Sequence, residues 1–235
     1  MLKMKKVIVI IPARQGSKSI KDKNIKKING KPMLEYSIEY AKRSRIVNQI
    51  VVSTDSKKYL NKIKKYKLGF SVLRKKKLSG DLVKDFPVIK DALKRSEYYF
   101  KKKFDFIILL RPTSPFREKN LIERSLKILL SKRNATSVRA MFRTKQHPYR
   151  QWKYDSKKVF VRSIIPSVHE PFNLPRQKLP KYLFQTGEIE TIKRSTIMSG
   201  SISGNFILPI LMKKQSIDVD DLSDLKIKKK IFKNK

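Results

Sequence analysis

The sequence has no cysteine and only two histidines, His147 and His169. Disulfides, thiol nucleophiles and cysteine-based zinc sites are therefore excluded, and a multi-histidine centre lacks ligands. Any metal would be a hard cation held by carboxylates and phosphate oxygens. Long apolar runs are missing as well, and nothing approaches the length of a transmembrane helix. The start, MLKMKKVIVIIPA, places lysines before an apolar run, but that run ends at Pro12 and no small-residue cleavage site follows. It reads as a buried first strand rather than a secretion signal, and a cytoplasmic protein is expected. Acids are few, with 19 Asp and Glu against 58 Lys and Arg, a net charge of +39. That balance suits a polyanion partner. Yet the lysines are scattered over nearly every expected helix and turn, and alanine is scarce beside lysine, isoleucine and asparagine, as in an A+T-rich coding sequence. No nucleic-acid motif accompanies the charge, so neither nucleic acid nor membrane is expected as a partner.

What is present is an α/β pattern. Val7 to Ala13, Gln49 to Asp55, Phe70 to Arg74 and Phe104 to Leu110 read as strands. Pro32 to Arg43, Ser56 to Lys67, Asp85 to Lys101 and Glu118 to Leu130 read as helices, with Pro32 in a first turn and Ser56 as a cap. Repeated strand–helix–strand units imply a mostly parallel sheet covered on both faces, with ligands at the carboxyl ends of its strands. At 235 residues one domain, 1–235, is expected. Within it, residues 141–182 carry five prolines among aromatics and read as an excursion from the sheet, a small subdomain or dimer arm. A helix is expected after SIDVDDLSDL.

Four loops have the composition for chemistry. IPARQGSKSIKDKN, from Ile11 to Asn24, follows the first strand and holds Arg14, Lys18, Lys21 and Lys23 beside Gly16 and two serines. Cations, amides and hydroxyls together suit a triphosphate; the plainer reading is a basic loop in a basic protein. Ser53 to Asp55 ends another strand and serves equally as a helix cap. In LLRPTSPFR, Pro112 and Pro115 stiffen a turn around two hydroxyls, and Arg111 and Arg117 add planar donors suited to carboxylate or phosphate. In SIDVDD, an extended backbone puts Asp218 and Asp220 on one face. Two adjacent carboxylates favour a cation between them, such as Mg²⁺ shared with phosphate oxygens; Asp220 or Asp221 also suits a helix N-cap.

Together with INGKPMLEYSI, IVVSTD and PRQKLP, these segments stand in an order that resembles the acylneuraminate cytidylyltransferases, the CMP-sialic acid synthetases, over most of the chain. The resemblance implies a Rossmann-like nucleotidyltransferase fold of three layers. It also implies reaction of CTP with a nonulosonate sugar to give CMP-sugar and pyrophosphate, with Mg²⁺, in a homodimer. By the same resemblance Arg14, Lys18 and Lys23 are triphosphate ligands and, with Asp218 and Asp220 as metal ligands, the catalytic set. Ser17, Asn24, Arg74 and Ser79 belong to the nucleotide site. Arg111, Thr113, Ser114, Arg176 and Gln177 fall in the sugar pocket, and Arg150 and Arg176 complete the neighbouring subunit's site. This chain departs from the family at Ser19 and Lys21, at Arg111 in place of a frequent glutamine, and at Thr186–Gly187 followed by Glu188 and Glu190. The triphosphate grip survives these changes and the sugar stays open: sialic, legionaminic or pseudaminic acid, or an eight-carbon ulosonic acid. From charge alone, a non-catalytic polyanion-binding protein is the alternative of another class.

Overall fold

In the computed structural model, residues 5–17, 19–213, 218, 219 and 224 are described. The strands are β1 (Val7–Pro12), β2 (Lys27–Ile28), β3 (Lys31–Pro32), β4 (Gln49–Thr54), β5 (Val72–Leu73), β6 (Phe106–Leu109), β7 (Ser137–Arg143), β8 (Trp152–Tyr154), β9 (Val161–Ser163), β10 (Leu183–Lys193) and β11 (Ile207–Leu211). The helices are α1 (Met33–Lys42), α2 (Lys57–Ile63), α3 (Asp85–Tyr99), α4 (Leu121–Ser131) and α5 (Arg194–Met198). Seven strands form one sheet in the order β11-β7-β10-β6-β1-β4-β5. The pairs β1–β4, β1–β6, β4–β5 and β11–β7 are parallel, and β10 runs antiparallel to both β6 and β7.

The apolar run at the start is the central strand, buried on both sides. Val7, Val9 and Ile11 pack against Leu34 and Ile38 of α1, Tyr59 of α2 and Leu126 of α4. Ile8 and Ile10 point the other way, into Ile89 and Leu93 of α3 and Ile197 of α5. Strand alternation thus feeds two helical layers from one segment, and each buried aliphatic side chain contributes roughly 2 kcal/mol. In α3 the buried positions Val88, Ile89, Ala92, Leu93 and Ser96 recur at helical spacing.

The expected helices and strands of the first half are present with shorter ends. Pro32 lies just before α1 rather than inside its first turn. Ser56 caps α2, its hydroxyl accepting from Tyr59 N at 3.3 Å. Asn29 and Gly30, both at positive φ, make the tight turn between β2 and β3, as an Asn–Gly pair does in a two-residue hairpin. The chain leaves the large sheet after Arg143 and rejoins it at Leu183, and between them β8 and β9 form a separate hairpin. The helix expected after SIDVDDLSDL, and the suggested caps Asp220 and Asp221, lie outside the described residues.

Candidate active site

The ends of β1, β4 and β6 open on the same edge of the sheet, as their parallel pairing requires. Ala13 N donates to Ser53 O at 2.8 Å, and Gln15 N donates to Asp55 Oδ1 at 2.8 Å, tying the basic loop to the end of β4. Asn24 Nδ2 donates to Arg14 O at 2.8 Å and closes the loop on itself. Asp22 takes a left-handed backbone and binds Lys58 Nζ at 2.7 Å and Tyr59 Oη at 3.2 Å, fastening the loop to α2. The Lys58 hydrogen bond, foremost, holds the Asp22 carboxyl below its ordinary range. Arg14 pairs with Asp81, which stands on the loop after β5.

Arg74, almost fully buried, donates from Nε to Ser53 Oγ at 2.9 Å and from Nη2 to Ser53 O at 2.7 Å. Burial lowers its pKa, and the nearby Asp55 and Asp85 work in the opposite direction. Between these groups lies a cleft of about 210 Å³. Arg14, Ser17, Lys23, Asn24, Arg74, Asp85, Arg111 and Thr113 are among the residues that line it. Ser79 does not line the cleft, although its neighbours Leu78 and Gly80 do; its hydroxyl donates to Lys75 O at 3.2 Å.

The 218–219 segment closes on this cleft from the far end of the sequence. Val219 N donates to Thr113 O at 2.9 Å, and Lys23 Nζ donates to Val219 O at 3.1 Å. The buried Ser114 hydroxyl donates to Asp218 Oδ1. Asp218 also lies against Gly187, where a Cβ would stand only 3.0 and 3.1 Å from its two oxygens. Gly187 falls where the β10–β7 register shifts, between Gln185 and Glu190, and such irregularities often re-aim groups beside a site. Lys23, Thr113, Ser114 and Asp218, far apart in sequence, therefore meet. Lys18 and Asp220 lie outside the described residues.

Among the described residues no group of three or more His, Asp or Glu side chains can hold a metal alone. A hard cation at Asp218 would need its other ligands from phosphate oxygens, water or residues outside that set. This is the usual arrangement for Mg²⁺, so Asp218 fits it.

Both arginines of LLRPTSPFR also make bonds within the protein. Arg117 is half-buried: Nε donates to Glu188 O at 2.6 Å, Nη2 to Arg111 O at 2.7 Å and Nη1 to Ser37 Oγ at 3.1 Å. Burial pushes its pKa down to about 10. It ties the loop to β10 and α1 with three of its donors. Arg111 does line the cleft, but its guanidinium joins Glu190 and, at 2.6 Å, Asp85 Oδ2. Burial opposes that charge, but Glu190 and Asp85 outweigh it and raise the pKa.

Arg150, Arg176 and Gln177 stand on the excursion, in the short helical turns Pro148–Arg150 and Arg176–Lys178. All three are exposed, and none lines the cleft of its own chain. Asp81 and Asp85 are site features without a motif to mark them, because each acquires its role only from a residue distant in sequence; Gly187 was marked only as part of a pair that departs from the family.

The sequence profile of cytidylyltransferases matches residues 8–199. The chain is 33% identical to post-translational flagellin modification protein B of Campylobacter coli, over 99% of this chain and 97% of that one. It is 30% identical to the CMP-N,N'-diacetyllegionaminic acid synthase of Campylobacter jejuni, over 95% of this chain and 94% of the relative. With the N-acylneuraminate cytidylyltransferase of Escherichia coli the identity is 29%, over 94% of this chain and 51% of that protein. Among solved structures, CMP:2-keto-3-deoxy-manno-octonic acid synthetase complexed with CTP shares the fold, with a TM-score of 0.71 at 16% identity, covering 97% of this chain and 99% of the other. The 4-diphosphocytidyl-2C-methyl-D-erythritol synthase of Anaerococcus prevotii does so at 0.62 and 13%, covering 98% and 100%. The chain belongs to the cytidylyltransferase family.

Proposed function

We propose that the protein transfers the cytidylyl group of CTP to an acidic nonulosonate sugar, sialic acid or a relative such as legionaminic or pseudaminic acid. The observation that carries this reading is the meeting of Lys23, Thr113, Ser114 and Asp218 beside a cleft that Arg14 and Arg74 also line. The anomeric hydroxyl oxygen of the sugar bonds to the α-phosphorus, the α–β phosphoanhydride bond breaks, and pyrophosphate leaves with the bridging oxygen.

Arg14, Lys18 and Lys23 hold the triphosphate and offset the charge that grows on the leaving group. Ser17, Asn24, Arg74 and Ser79 position the nucleotide. Asp218, with Asp220, would hold Mg²⁺, which when bound supplies further charge neutralisation at the phosphates. Thr113, Ser114 and Arg111 face the sugar. The hydroxyl's proton passes to solvent or to a carboxylate of the 218–220 segment.

Domain organisation and assembly follow the same reading: one catalytic domain, whose excursion reaches a second copy and presents Arg150, Arg176 and Gln177 to that copy's sugar. Tyr154 and Phe160 on this excursion are 68% and 70% exposed, apolar surface that a partner would cover. The reaction is placed in the cytoplasm, and the product is a donor for cell-surface glycans. No helix among the described residues is long and apolar enough to cross a membrane.

The test is pyrophosphate release with CTP, Mg²⁺ and a panel of N-acetylneuraminic, diacetyllegionaminic, pseudaminic and eight-carbon ulosonic acids. Turnover is expected with a nine-carbon acid, and Asp218→Asn should lower it by about 100-fold or more. Turnover confined to the eight-carbon acid would reassign the substrate. No turnover with any sugar, alongside salt-sensitive RNA binding, would overturn the reading.

A further inference from the structure

An ion pair joins two loops that frame the cleft. Arg14 stands on the loop after β1 and Asp81 on the loop after β5, and Arg14 Nη1 donates to Asp81 Oδ1. The backbone around Arg14 is pinned: Ala13 N donates to Ser53 O, Gln15 N donates to Asp55 Oδ1, and Arg14 O accepts from Asn24 Nδ2, each at 2.8 Å. The Arg14 side chain instead reaches into the cleft wall and meets Asp81. Asp81 sits in a tight turn that Val83 N closes on Gly80 O at 3.2 Å. Gly80 and Val83 line the cleft and Asp81 does not. Asp81 can therefore act on a ligand in the cleft through Arg14.

A guanidinium offers five N–H donors but a single charge. Asp81 engages Nη1, one arm of the fork that fits two phosphate oxygens, and offsets the charge behind it. A phosphate oxygen approaching Arg14 displaces the carboxylate or shares the guanidinium with it. In both cases the negative charge of Asp81 works against an anionic ligand, and more so the more charge that ligand brings. The two side chains are 34% and 35% exposed, so water screens the pair and the effect is a matter of a few fold in affinity. A pair of this strength can be exchanged for a ligand at every turnover.

Resting on the cytidylyl-transfer reading above, we propose that Asp81 is a positioning residue that, through Arg14, weakens the grip on polyphosphate so that pyrophosphate is released after the α–β bond breaks. Cations that offset the charge on a leaving group also hold that group once it has left. Asp81 returns a counter-charge to Arg14 as pyrophosphate departs, and the cleft is ready for the next triphosphate.

The experiment is a double-mutant cycle read by titration calorimetry with Mg²⁺ present. CTP, inorganic pyrophosphate and CMP are each titrated into wild type, Asp81→Asn, Arg14→Gln and the double variant; Asp81 lies in an exposed turn, where asparagine is compatible with the fold. Asp81→Asn should bind CTP and pyrophosphate about fivefold more tightly than wild type, whereas CMP, which lacks the β- and γ-phosphates, stays within about twofold. In the Arg14→Gln background the same change should move pyrophosphate binding by less than about twofold. Unchanged or looser binding of CTP and pyrophosphate in Asp81→Asn would show a merely structural pair. Equal tightening for CMP, or tightening that persists without Arg14, would show a general field effect. Each of these results overturns the inference alone. Wild type that binds neither CTP nor pyrophosphate would instead overturn the cytidylyl-transfer reading, and the inference with it.

Discussion

At Gly187 a methyl group would lie 2.7 Å from the Ser114 hydroxyl oxygen and about as near the Asp218 carboxylate, whose oxygens stand 3.0 and 3.1 Å away. Glycine is required there by close approach rather than by backbone conformation. Gly187→Ala should leave the sheet folded but push Asp218 off Ser114, lowering turnover by about tenfold or more in steady-state assays; unchanged kinetics would detach Asp218 from the chemistry. Single residues were unequally legible in the sequence. Lys23, Asn24 and Asp218 stand in motifs whose composition already suggests phosphate or metal, whereas Arg74 was implied only by the family resemblance. Gly187, Asp81 and Glu190 carry no such mark, because their meaning comes from Ser114, Arg14 and Arg111, each at least 67 residues away. Arg117 shows the converse: a planar donor on a ligand-facing loop that gives three of its bonds to the protein.

Among the elements, β1, α1, β4, α2, α3 and β6 were readable because each combines one clean period with a clear end. The cap on α2 is one such end. Ser56→Ala should cost about 1 kcal/mol, seen as a fall in Tm of about 2–4 °C for a chain of this size; an unchanged Tm would make the cap idle. Strands β7, β10 and β11 were not readable. In β10, LFQTGEIETIK mixes a glycine and two glutamates into a segment buried from Thr186 to Ile192. That burial is tolerable only because Arg111 and Arg139 are brought to Glu190. Local pattern could not announce a strand whose buried Glu190 finds its counter-charges at long range. The excursion between β7 and β10 bears on assembly: light scattering should give about twice the 27.6 kDa chain mass. Phe160→Asp should give the single-chain mass with lowered sugar turnover, whereas a wild-type monomer would contradict the proposed crossing of the arm.

For the whole molecule, the charge of +39 opposes compactness. Raising salt from about 0.01 to 0.15 M shortens the screening length from about 30 to 8 Å, so Tm at pH 7 should climb; a flat or falling Tm would mean that repulsion is already neutralised. Acid should act the other way. Lys58 holds the Asp22 carboxyl below its ordinary range. At Glu39 and Glu118 burial pulls upward but is outweighed, by Lys31 and Tyr66 at one and by Arg124 and the Lys213 amide at the other. Folded pKa values below the unfolded ones mean fewer protons bound in the native state. Stability is thus fully present above the ordinary carboxylate range, about pH 4, and lost as pH falls through the lowered values. Thermal melts from pH 7 downward should be level to about pH 5 and then drop; a maximum near pH 4 would contradict this.

The central claim concerns a bond, between the α-phosphorus of CTP and a sugar oxygen. Phosphorus NMR of the protein with CTP, Mg²⁺ and an N-acylated nonulosonic acid follows that bond directly. The α-phosphate resonance of CTP should give way to a phosphodiester signal, with pyrophosphate appearing in equal amount and only when the sugar is present. CTP left intact with every nonulosonic acid, or CMP formed without regard to sugar, would contradict it.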